Sequence, residues 1–156
     1  MSVDIGFTHI ALTASDLDAS ARFYADYANM SVVHDRVDAE TGVRVIWLSD
    51  RTRPFVVVLM ESAEPTPILG PFAHLGVGCE SRAAVDRLAE QARAAGVLHQ
   101  APSDYGYPVG YLAMLKDPDG HLLELSHGQE IGLTVQDTAE ANGKNSGENP
   151  GENSGG

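Results

Sequence analysis

The feature that most constrains this chain is that its body is written twice. FTHIALTA at 7–14 and FAHLGVGC at 72–79 match phenylalanine to phenylalanine, histidine to histidine and apolar to apolar residue at an offset of 65. A repeat of that length signals two copies of one supersecondary unit, each too small to bury a sufficient core alone. After the first copy, Ser15-x-x-Asp18 resembles a capping box and opens a helix with Leu17, Ala21, Tyr24 and Ala28 on one stripe. After the second, Ser81 opens a helix carrying Val85, Leu88, Ala89 and Ala92 on one face, and Gly96 ends it. Strand-like runs follow at 31–35, 43–49 and 55–61, and again at 97–100, 111–116 and 121–126. Each half therefore reads β-α-β-β-β. The expectation is an α+β fold of two βαβββ modules, about 5–63 and about 71–130, sharing one core. Pro65, Pro67 and Pro71 mark the linker between them.

Composition narrows the classes of function. One cysteine, Cys79, excludes an intramolecular disulfide and a cysteine-based zinc finger. Ten basic against 22 acidic residues give a net charge of −12, with no basic cluster, which argues against nucleic acid as a partner. No apolar run reaches the ~20 residues that span a bilayer, and no secretory signal is visible. A soluble, cytoplasmic protein is expected, with no membrane partner. From 137 the text becomes DTAEANGKNSGENPGENSGG, without a large apolar side chain. The expectation is a domain over 1–136 and a disordered acidic tail over 137–156.

Strand alternation shows which side chains can converge. His9 shares a face with Ala11 and Thr13, His74 with Gly76 and Gly78, and Glu124 with Leu122 and Ser126. Small neighbours leave room for a ligand. The repeat pairs His9 with Glu61 and His74 with Glu124, and two imidazoles with two carboxylates make a plausible site for Zn, Ni, Fe or Mn. In FVVVLME, alternation sends either Val57, Leu59 and Glu61 or Val56, Val58 and Met60 toward the cleft. All but the last residue are apolar, so the pattern does not choose.

FTHIALTASDLDASARFY, FAHLGVGCESRAAVDRL and DPDGHLLEL resemble the vicinal oxygen chelate superfamily of glyoxalase I, bleomycin-resistance proteins, extradiol dioxygenases, fosfomycin-resistance enzymes and methylmalonyl-CoA epimerase. The resemblance covers about residues 5–127. It implies curved mixed sheets around a metal or ligand cleft, and a homodimer in which modules are sometimes exchanged between chains. By position it implies His9, His74 and Glu124 as ligands, with Glu61 as a fourth if the site is like that of glyoxalase I. An outward Glu61 leaves two histidines and one glutamate, similar to fosfomycin-resistance enzymes and extradiol dioxygenases.

Individual chemistries match less well. Where glyoxalase I has an arginine and an asparagine for glutathione, this chain has Thr13 and Pro65. YPVGYLAMLKDP lacks the histidine of extradiol dioxygenases, and a cationic cluster for a phosphonate is missing. Two readings result. One is a metal-dependent enzyme of glyoxalase/dioxygenase type that chelates a small oxygenated metabolite through two oxygens, with Glu61 or Glu124 as proton carrier. The other is a metal-free, bleomycin-resistance-like protein that sequesters a cationic aromatic compound. Tyr105, Tyr107, Tyr111 and Trp47 are candidate substrate contacts, although Trp47 also suits the core. Cys79 reads as packing, His121 as a turn or outer-face residue, and His34, His99 and His127 as surface residues.

Overall fold

In the computed structural model of this chain, residues 6–129, 131–132 and 135 are described. The expected tail over 137–156 lies outside them. The first module consists of β1 (His9–Ala14), α1 (Leu17–Ala28), β2 (Ser31–Val37), β3 (Arg44–Ser49) and β4 (Val56–Glu61). The second consists of β5 (Leu75–Gly78), α2 (Arg82–Ala94), β6 (Leu98–Asp104), β7 (Tyr111–Lys116) and β8 (Leu122–His127). The sheets have orders β1-β4-β3-β2 and β5-β8-β7-β6, so the second repeats the first. In each, the first strand runs parallel to the last and the remaining pairs are antiparallel.

Local chemistry accounts for the helices. The cap of α1 is Asp16 rather than Ser15, its carboxylate accepting from the Ala19 amide at 2.9 Å. Ser81 caps α2 as expected, accepting from the Ala84 amide at 3.1 Å. Gly96 follows α2 with φ of +74°, a conformation that costs glycine nothing. The buried face of α1 is Leu17, Ser20, Phe23, Tyr24, Tyr27 and Ala28. One apolar cluster joins all of these but Ser20 to Ile46, Leu48, Val57 and Leu59 of the first module and to Ala92, Leu115, Leu123 and Leu125 of the second. The halves share a core, as units of this size must.

A polar bolt fastens that contact. Asp117, at the head of the Asp-Pro-Asp-Gly-His turn, accepts from the Tyr24 hydroxyl of α1 at 3.0 Å and from the amides of Asp119 and His121 at 2.9 Å each. Asp119 accepts from the backbone amide and hydroxyl of Ser15. His121, expected in a turn or on the outer face, follows the turn directly but is completely buried. Its Nδ1 accepts from the Leu69 amide at 3.0 Å, and its Nε2 donates to the Thr13 carbonyl at 2.9 Å. The ring thus ties β8, the linker and β1 together. Sequence spacing identified the turn but not the partner that buries it.

Burial lifts the Asp117 carboxyl above its ordinary value of 3.8, against the lowering effect of its amide donors. The folded chain then holds this proton to higher pH than the unfolded chain does. Stability falls as pH rises from about 4 through the raised folded value. Asp117→Asn removes that contribution. Urea midpoints for the variant should decline less over this range than those of the parent, and parallel profiles would refute the assignment.

Candidate functional site

Registers assign the side chains of each sheet to two faces. In the first module β1 pairs with β4 as His9↔Val56, Ala11↔Val58 and Thr13↔Met60, and β4 continues to β3 as Met60↔Val45 and Val58↔Trp47. His9, Ala11, Thr13, Val56, Val58, Met60 and Trp47 therefore share a face. Ile10, Leu12, Ala14, Val57, Leu59 and Glu61 take the other, toward α1. Glu61 thus points away from His9, the outward of the two readings that the alternation left open. The reason is packing: Val57 and Leu59 are almost fully buried against the core, and alternation carries Glu61 with them. Met60, 37% exposed, lies on the histidine's face. Trp47 also lies on that face, 38% exposed, its ring 4.8 Å from that of His34 on β2. It is exposed on that face and is not part of the buried core.

In the second module Gly76 pairs with Glu124 and Met114 lies on the other side of Glu124, so these residues share a face. His74 immediately precedes β5 and its Nε2 stands 3.4 Å from Glu124 Oε2. The other ring nitrogen, Nδ1, lies 2.7 Å from the Phe72 carbonyl. A carbonyl can only accept, so Nδ1 carries the hydrogen, and in the neutral ring Nε2 presents a lone pair. That lone pair and the carboxylate are both acceptors, and facing each other they call for a cation or a proton between them. Two tetrahedral ligands about 2.1 Å from one ion lie about 3.4 Å apart, so the pair fits half of a divalent site. Glu124 is 5% exposed. Its Oε1 accepts from Gln129 Nε2 at 2.7 Å, a partner that sequence reasoning missed because Gln129 lies beyond the last strand.

The two halves do not meet within one chain. Among the described residues no three His, Cys, Asp or Glu side chains converge on a common point. His9 is exposed, its Nδ1 3.0 Å from Thr8 Oγ1.

The tyrosines divide. Tyr105 is 54% exposed and its hydroxyl accepts from Gln100 Nε2 at 2.7 Å, while Tyr107 is 76% exposed in the same loop. Tyr111 pairs with His127, opposite in alternation to Glu124, and so faces α2. Its hydroxyl donates to Asp86, which pushes its pKa up, and Arg82 lies 5.0 Å above its ring. Tyr111 therefore packs against α2, on the face opposite Glu124. His127 is half-buried, its Nδ1 bonded to the Cys79 carbonyl at 3.0 Å, rather than a surface residue. Cys79 is partly buried, and burial raises its thiol pKa, as suits packing. No helix among the described residues is long and apolar enough to cross a membrane.

Known proteins share this architecture. The chain is 41% identical over 128 residues to an uncharacterized protein of Pseudomonas aeruginosa, PA2024, covering 80% of this chain and 90% of that one. It is similar in fold to the fosfomycin resistance protein FosX of Listeria monocytogenes, solved with Mn(II) and dihydroxypropylphosphonic acid. That match has a TM-score of 0.66 at 20% identity and covers 85% of this chain and 99% of the other. The trypanothione-dependent glyoxalase I of Leishmania major matches with a TM-score of 0.60 at 26% identity, over 92% of this chain and 99% of its own. A sequence profile of the Glyoxalase/Bleomycin resistance protein/Dioxygenase superfamily matches residues 6–125, and with the doubled βαβββ architecture this places the chain in that superfamily.

Proposed function

We propose that this protein is a metal-dependent enzyme acting on a small oxygenated metabolite, and that it works as a homodimer. His9 of one protomer completes a divalent site with His74 and Glu124 of its partner. The observation that carries this reading is His74 Nε2 held 3.4 Å from Glu124 Oε2, a pair that a shared cation would bridge. The separation of His9 from that pair within one chain favours a site shared between chains. So do the open sheet edges: β1 and β5 are both outermost strands, and Phe7 and Phe72 beside them are 94% and 89% exposed. Mn(II) in the structure of FosX supports a divalent ion of this kind.

When bound, the ion supplies Lewis-acid stabilisation of a developing oxyanion. The chain's own contribution is positional. The Phe72 carbonyl holds His74 in the ligating tautomer, and Gly76 and Gly78 put no side chain on the sheet face beside Glu124. Glu124 is the remaining carboxylate on the cleft face and the candidate carrier of a proton.

A second reading, a metal-free binding protein, draws on the exposed Trp47 and its tilted ring contact with His34, aromatic surface that suits a flat ligand. Metal analysis separates the two. Protein purified without chelator is expected to hold about one divalent ion per chain, and His74→Ala none. Native protein without metal, with unchanged stability in chelator and with Trp47 fluorescence quenched by aromatic cations, would select the second reading.

A further inference from the structure

The two oxygens of Glu124 have different partners. Oε2 is the atom 3.4 Å from His74 Nε2, while Oε1 accepts from Gln129 Nε2 at 2.7 Å. Gln129 reaches the carboxylate by a tight return of the chain after β8, through Gly128 at φ of +83°. Gly110, immediately before β7 with φ of +85°, packs against this return. A Cβ on Gly110 would fall within 3.0 Å of backbone atoms of His127, Gly128 and Gln129. Any side chain there must push the return away from the sheet, and the left-handed backbone adds to the cost.

We propose that Gln129 is a positioning residue for the cation site. By occupying Oε1 it restricts Glu124 to ligation through Oε2, and so keeps a coordination position open for a substrate oxygen. Gly110 is the residue whose missing Cβ allows Gln129 to do this. A carboxylate with both oxygens free can close on an ion through both. A side-chain amide hydrogen-bonded to one oxygen competes with that closure, and partners of this kind commonly contribute 10- to 100-fold to metal affinity. This inference rests on the ligand assignment above and adds a residue that neither the repeat nor the resemblance identified.

The test uses the full-length protein, Zn²⁺ affinity by competition with a chromogenic chelator, and the visible spectrum of the Co²⁺-loaded form. Gln129→Met keeps length and apolar stem but removes the donor. It should weaken Zn²⁺ binding by about 10- to 100-fold and alter the Co²⁺ bands, with the metal-free protein still folded. Gly110→Ala should shift both readouts the same way, and Gln91→Met on the exposed side of α2 should shift neither. A merely structural Gln129 would leave the Co²⁺ spectrum untouched. Native affinity and spectrum in Gln129→Met would overturn this inference and leave the ligands standing. A native chain that takes up no Zn²⁺ would overturn both.

Discussion

Mixing the His9→Ala and Glu124→Ala chains, each unable to hold a stoichiometric ion alone, should restore metal binding. If His9 acts with the His74 and Glu124 of its partner, both sites of either variant homodimer lack a ligand. In a mixed dimer the defects fall together. One site combines His9 from the Glu124→Ala chain with His74 and Glu124 from the His9→Ala chain and is intact, while the other site lacks both. Random reassortment after mild dissociation makes about half the dimers mixed, so the mixture should recover about a quarter of the native metal content. An arrangement within one chain predicts no recovery, because every site then keeps its own defect. Metal analysis of the refolded mixture against unmixed controls measures this, and the absence of recovery would rule out the shared site.

The largest loss of stability is expected from His121→Ala. The ring is completely buried, and its removal strands the Leu69 amide and the Thr13 carbonyl, which it bonds at 3.0 and 2.9 Å. An unsatisfied buried backbone group costs about 1–3 kcal/mol, so the pair together should cost about 2–6 kcal/mol. Against a typical total of about 5–15 kcal/mol that is a large share. Urea denaturation reads it directly, and His99→Ala at an exposed position should stay within about 0.5 kcal/mol of the parent. A loss below about 1 kcal/mol for His121→Ala would mean that water replaces the ring at both partners. Function should suffer too, because Thr13 belongs to the same strand as His9.

Some of this was legible in the linear text. The repeat of phenylalanine, histidine and apolar residues required two similar modules, and the small residues beside each histidine marked one face of each first strand. The Ser81 cap and the strand at 111–116 also followed from local signals, because capping and alternation depend on a few neighbouring residues. Position 61 was different. Val56, Val57, Val58 and Leu59 are apolar on both faces, so alternation could say that Met60 and Glu61 part company but not which of them meets His9.

Sheet register resolved that, by setting Val57 and Leu59 against α1. The same holds for Tyr111, turned toward Asp86, and for His121, drawn inward by Leu69 and Thr13. Each of these outcomes depends on a partner distant in the chain. What the sequence alone determined is the doubled module and the residue types near its histidines, since both follow from short-range pattern. Which carboxylate faces which imidazole, and that His9 stands apart from His74 and Glu124 in its own chain, arose only when the two modules packed around their common core. Long-range packing chooses between faces that short-range propensity leaves equal.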